Sequence, residues 1–159
     1  MKQIFILLCL TTSLSFFSQT KKIPLKKYSF SEIEKLQRIK PRPVLVFLYT
    51  DWCKICFAMK QTTFQNKQII KDLNTKYYLV FLNGEEKKDI TFLGTTFSYK
   101  PTGSSGVHEL AKQLTLSKKS TSYPTSIILN TKNEIDVFLE GYLNSSNMHS
   151  VLNSYLKRN

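Results

Sequence analysis

Pro43-Val44-Leu45-Val46-Phe47-Leu48-Tyr49-Thr50-Asp51-Trp52-Cys53-Lys54-Ile55-Cys56 is the stretch on which the reading of the fold turns. Pro43 to Tyr49 is continuously apolar, the pattern of a central strand buried on both faces. Thr50 and Asp51 break the run, and the cysteine motif then opens a helix. Phe57, Met59 and Phe64 are expected on its apolar side, with Ile69, Ile70 and Leu73 in its continuation. Cys53 would sit at the helix start, where unpaired N–H groups and the dipole favour a thiolate, and Lys54 adds a nearby cation. Cys56, one turn further on, is placed to return and close the ring. Trp52 would shield the pair on one side and offer an apolar surface.

Working outward, Ser31 and Glu34 form a capping-box pattern ahead of Ile33, Leu36 and Ile39, which predicts a short helix ending before Pro41. Tyr77 to Leu82 reads as a second buried strand closed by Asn83-Gly84. Residues 90–99 alternate loosely around Gly94 and predict a small hairpin, 101–106 a loop, and Val107 to Leu116 a helix. Pro124 precedes the strand Thr125 to Leu129. Thr131-Lys132-Asn133 turns into Ile135 to Leu139, and Met148, Val151, Leu152, Tyr155 and Leu156 outline a terminal amphipathic helix. The first two strands, joined through a helix, should be parallel, and the last two, joined by a tight turn, antiparallel. The fold class is α/β, a three-layer sandwich with a mixed central sheet.

Residues 1–20 differ from the rest. Lys2 is followed by an apolar run from Ile4 to Leu10 and then by small and polar residues, a pattern of a secretory signal peptide. A membrane anchor is the alternative, but the run is shorter than the ~20 residues a span needs. Cleavage after Ser15 or after Thr20 fits equally. Leu8 before Cys9 is too bulky for a lipid-attachment site. Residues 21–28, rich in lysine, read as a linker, and 29–159 as one domain with an insertion at about 85–106.

Export makes the cysteine count informative. Of the chain's 3 cysteines, removal of the leader leaves Cys53 and Cys56. A bridge between them would close a very short loop and remove little chain entropy from the unfolded state. Chemistry explains the pair better than stability does. The net charge of +12 is spread along the chain without a basic helix face or aromatic-basic alternation, which argues against nucleic acid as a partner.

Three features together resemble the thioredoxin superfamily over roughly residues 29–158: Trp52-Cys53-Lys54-Ile55-Cys56 at a strand-to-helix junction, Tyr123-Pro124-Thr125, and Gly141 after the last strand. The resemblance implies a cis bond before Pro124, a Tyr123 backbone that pairs with extended substrate, and a glycine close to the active site. It implies an exported thiol–disulfide oxidoreductase, more a reductase of protein disulfides than an oxidase, with no cofactor beyond the Cys53–Cys56 disulfide. Its partners would be protein substrates with disulfides or thiols and a membrane or soluble electron donor, as in periplasmic domains that pass on reducing equivalents. Two departures stand out. The family's buried acid, six residues before the first cysteine, is here Phe47, and the dipeptide between the cysteines is Lys54-Ile55. A cation beside the thiolate stabilises the reduced form, so the direction of electron flow stays open. The rival reading is a binding protein or thiol-based metal carrier. His108 and His149 would have to complete a zinc site, and neither has zinc-like spacing; His108 suits a surface or capping place instead.

Overall fold

A computed structural model describes residues 23–115 and 121–158. Leu45 to Tyr49 do form the core strand: β1 (Val44–Tyr49) is buried along nearly its whole length. It pairs in parallel with β2 (Tyr78–Asn83) on one side and antiparallel with β7 (Thr125–Leu129) on the other. β8 (Ile135–Glu140) adds antiparallel to β7, giving the order β2-β1-β7-β8. The mixed sheet is therefore the one the connections predict.

Alternation along the strands sorts side chains to two faces. Val44, Val46, Leu48, Ile127 and Leu129 join Phe30 and Ile33 of α1 (Phe30–Ile39) and Leu110, Ala111 and Leu114 of α4 (Glu109–Leu114). Leu45, Phe47 and Ile128 join Cys56 and Met59 of α2 (Lys54–Gln61), Ile69 and Leu73 of α3 (Lys67–Lys76), and Met148, Leu152 and Tyr155 of α5 (Ser145–Arg158). Helices on both faces of one sheet make the three layers.

Several local expectations change. The capping box is Ser29 with Glu32, two residues before the expected Ser31 and Glu34: Ser29 Oγ accepts the Glu32 N–H at 3.3 Å and Ser29 N–H donates to Glu32 Oε2 at 2.7 Å. This frame puts Phe30 into the core, while Glu34 accepts the Leu93 N–H at 2.8 Å. The long second helix is broken. α2 stops at Gln61, a single 3-10 turn spans Thr63–Gln65, and Asn66 caps α3 through the N–H groups of Gln68 and Ile69. Phe57, expected on the apolar side, is 62% exposed, because the buried stripe runs through Cys56 and Met59. Phe64 is buried by the 3-10 turn instead.

The segment expected as an insertion contains two hairpins. β3 (Ile90–Phe92) with β4 (Thr95–Phe97) is the expected one. β5 (Tyr99–Thr102) with β6 (Ser105–His108) occupies the segment read as a loop. Pro101 sits within β5, which has only one neighbour, so the missing N–H leaves no ladder broken. The next helix accordingly begins at Glu109 rather than Val107, and Leu116 lies outside the described residues, as do the leader and Lys21-Lys22. Residues 24–28, expected as a linker, lie against the domain: Asn74 Nδ2 donates to Pro24 O, Lys26 N–H to Asn74 Oδ1 and Tyr28 N–H to Leu79 O, each at 2.8 Å. No helix among the described residues is long and apolar enough to cross a membrane.

Candidate active site

The cysteine pair stands where β1 hands over to α2. Thr50 to Trp52 turn the chain, with Cys53 N–H donating to Thr50 O at 3.3 Å and Asp51 held by the Asn83 side-chain amide at 3.0 Å. Cys53 is then the N-cap of α2: its sulfur accepts the Cys56 N–H at 3.0 Å and its carbonyl the Phe57 N–H at 3.0 Å. A helix-start N–H, that of Cys56, thus points at Cys53 Sγ, the arrangement that favours negative charge there. Cys53 and Cys56 are joined in a disulfide. Cys53 keeps 6% exposure and Cys56 none, so the first sulfur is the one a partner can reach. Lys54, the first helical residue, is exposed beside it.

An apolar rim surrounds this point. Trp52, Ile55 and Phe57 are 65%, 53% and 62% exposed, unusual for such side chains and concentrated beside the dithiol. Trp52 stands edge-on to the Tyr123 ring, centroids 5.9 Å apart at 87°. The Tyr123–Pro124 peptide bond is cis. Pro124 O accepts the N–H of Gly141 at 2.8 Å, and Gly141 adopts φ +93, a left-handed conformation that disfavours any side chain. Trp52, Tyr123, Pro124 and Gly141 therefore form one connected wall, and Tyr123 packs against the cluster that holds both cysteines.

Gly84 is a part of this wall that sequence reading left as a strand end. Its N–H donates to Tyr49 O and its carbonyl accepts the His108 N–H, both at 2.7 Å. A Cβ on Gly84 would run into the Tyr123 ring. Burial there pushes the Tyr123 phenol up to about 12, with the Glu85 charge adding to the effect. The close approach is a tertiary event, and nothing local in Asn83-Gly84-Glu85 announces it.

Behind the dithiol, the position of the family's acid is sealed by rings. Phe47 lies 4.8 Å from Phe64, 5.1 Å from Phe81 and 6.1 Å from Tyr49, centroid to centroid. Tyr49, Phe64 and Phe81 also line a groove of about 550 Å³ with Leu25, Lys27 and Lys60. The Lys60 ammonium stands 3.0 Å over the Tyr49 ring, and burial lowers its pKa, with Asp51 opposing and Lys27 assisting.

The two histidines are engaged elsewhere. His108 is fully buried, not at the surface, and caps α4 by accepting the Leu110 N–H at Nδ1. His149 pairs with Asp72 at 3.0 Å. Among the described residues no group of three or more His, Cys, Asp or Glu side chains could hold a metal ion.

Comparison with known proteins agrees with this geometry. The thioredoxin-like domain family matches residues 30–156. No curated protein sequence matches. Among solved structures, a DsbH oxidoreductase is 17% identical, with 85% of this chain and 86% of that one covered at a TM-score of 0.60. A thioredoxin from Thermus thermophilus is 18% identical, with 84% and 88% covered at 0.60. The C-terminal domain of DsbD from Neisseria meningitidis, in its reduced form, is 14% identical, with 81% and 92% covered at 0.51. At these identities the likeness is one of fold.

Proposed function

This chain belongs to the thioredoxin-like family, and from that premise we propose that it is an exported thiol–disulfide oxidoreductase that reduces protein disulfides. The observation that carries the reading is the Cys53–Cys56 disulfide at the start of α2, one sulfur reachable and the other sealed. Export rests on the charged, then apolar, then polar pattern of residues 1–20.

The chemistry follows from the asymmetry. In the reduced protein the Cys53 thiolate attacks a substrate disulfide, forming a mixed disulfide and releasing one substrate thiolate. The Cys56 thiolate then attacks Cys53 Sγ, the Cys53–substrate bond breaks, and the Cys53–Cys56 bond forms. Two electrons pass to the substrate, and a thiol electron donor restores the dithiol. Trp52, Ile55 and Phe57 give an unfolded or extended substrate an apolar landing, and the Tyr123 backbone next to Pro124 gives its main chain a partner.

The test is insulin reduction with dithiothreitol as donor, beside trapping. Cys56→Ser should accumulate mixed disulfides with substrate and Cys53→Ser none, with turnover in both down by at least ~10³-fold. Mixed disulfides on Cys56 in the Cys53→Ser protein would reverse the roles, and no turnover by the unaltered protein would end the oxidoreductase reading.

A further inference from the structure

Ser126 is a polar side chain that the scheme above does not use. It lies in β7 two residues after Pro124 and is 3% exposed. In the antiparallel pairing of β1 with β7 it stands opposite Phe47. Phe47 and Ile128 belong to the cluster that contains both cysteines, whereas Ile127 and Leu129 belong to the other face. Alternation therefore sends the Ser126 side chain to the dithiol side of the sheet. Its Oγ has no hydrogen-bond partner among the described residues.

A buried hydroxyl without a partner is costly, and here it lies on the sheet face whose buried cluster holds Phe47, Ile128 and both cysteines. The protein is oxidised at Cys53–Cys56. A disulfide sulfur accepts hydrogen bonds poorly, while a thiolate accepts them well. Reduction would create such an acceptor at Cys56, which is wholly buried and must lose its proton before it can attack.

Few other groups on this face could stabilise that charge. Of the phenols in or packed on the cluster, Tyr77 donates to Leu152 O and Tyr155 to Asp136, Tyr49 lies under the Lys60 ammonium, and the Tyr123 hydroxyl, also without a partner among the described residues, is seated against Gly84. Asp72 of α3 is occupied by Lys76, Gln68 and His149. On α2 itself Lys54 is exposed and Lys60 is drawn over Tyr49.

We propose that Ser126 is a catalytic hydrogen-bond donor to the Cys56 sulfur, silent in the disulfide form and engaged once the Cys53–Cys56 bond opens. The proposal rests on the thiol–disulfide reading of the site. In the resolving step the Cys56 proton leaves to water, and Ser126 O–H donates to the resulting thiolate. That thiolate attacks Cys53 Sγ, and the departing substrate thiolate takes a proton from water. Because the bond exists only in the reduced form, Ser126 also stabilises that form wherever Cys56 is ionised and there makes the disulfide more oxidising.

The experiment compares Ser126→Ala with the unaltered protein, and Ser126→Val with Ser126→Thr, a pair of nearly equal shape that differs in the hydroxyl. In a Cys9→Ser, Cys53→Ser background, thiolate absorbance against pH reads Cys56 alone. Loss of the hydroxyl should raise that midpoint by about 0.5–1 pH unit, while Ser126→Thr retains it. With both cysteines present, equilibration with dithiothreitol at a pH above that midpoint should show the disulfide favoured about three- to tenfold more without the hydroxyl, ~15–30 mV more reducing. Resolution of the mixed disulfide should slow about as much. The oxidised protein should melt no lower, since Oγ has no partner among the described residues to lose.

A lower melting temperature with unmoved midpoint and potential would make Ser126 a structural residue and overturn the proposal. So would equal midpoints for the Val and Thr variants, a comparison that stands even if Ser126→Ala does not fold. Failure of the unaltered protein to reduce insulin would remove the proposed function, while the midpoint and the equilibrium would still report on the hydrogen bond.

Discussion

The two faces of the central sheet are both packed with buried side chains, yet what remains on each differs. The face under α1 and α4 is closed by aliphatic side chains, Phe30, Phe92 and Tyr78, whose hydroxyl donates to Lys40 O at 2.8 Å. The face under α2, α3 and α5 carries two cysteine sulfurs, several phenols, the Ser126 hydroxyl, unpartnered among the described residues, and the buried carboxylate of Asp72. Polar groups left inside a core are expensive, so a face that keeps them keeps them for a use. The first face holds the sheet together. The second holds it in a state that can change.

That contrast can be broken most forcefully by damaging the first face alone. Phe30 is 3% exposed and lies 4.8 Å from the Phe92 ring. Phe30→Ala should cost about 3–5 kcal/mol in chemical denaturation. The equilibrium of the dithiol with dithiothreitol should nevertheless stay as it was. A shifted equilibrium in the folded variant would show that the faces are coupled through the strands.

The contrast is sharpened where the faces meet, because Tyr123 packs against both clusters. Gly84→Ala should unseat the Tyr123 ring and with it the edge that holds Trp52. Trp52 is the chain's 1 tryptophan, so its emission reports the displacement directly. Reduction of insulin should fall about tenfold, and reaction with a small disulfide much less, because the wall and not the sulfur is disturbed. In a Tyr123→Leu background the same substitution should add almost nothing. Additive losses would place the effect elsewhere.

The smallest expected effect concerns charge on the second face. Burial works to raise the Asp72 carboxyl, and the hydrogen bonds from Lys76 and Gln68, the Lys76 charge and the His149 hydrogen bond outweigh it, leaving the pKa below 3.8. A depressed folded pKa contributes stability that is present above the unfolded value and is lost as pH falls through the folded one. Melting temperature should therefore decline below about pH 4 in the unaltered protein. Asp72→Asn should lower it at neutral pH, and the two curves should converge in acid. Parallel curves would show that the carboxylate carries no such linkage.

How much of this was legible in the chain depends on the range of the interactions. The dithiol at a strand-to-helix junction, the buried runs of β1 and β2 and the parallel and antiparallel pairings follow from patterns a few residues long, and the places of Pro124 and Gly141 from the family resemblance. The frame of the first cap did not. Ser29 with Glu32 and Ser31 with Glu34 are equally good boxes locally, and burial of Phe30 chose between them. Phe57 looked apolar and buried because composition alone does not say which side of α2 meets the sheet; Cys56 and Met59 do. The second hairpin was hidden by Pro101 and the flanking glycines, residues that mark loops unless an edge strand is free to accept them.

By itself the sequence determined the class of fold, the reactive pair and which cysteine begins the helix, because hydrophobic period, helix-start chemistry and spacing are local quantities. Tertiary structure alone decided that Gly84 is a seat for Tyr123, that rings seal the space around Phe47, and that Ser126 lies on the sheet face of the cysteine cluster without a partner among the described residues. These depend on register between strands far apart in the chain, where a shift of one residue would turn Ser126 to the opposite face.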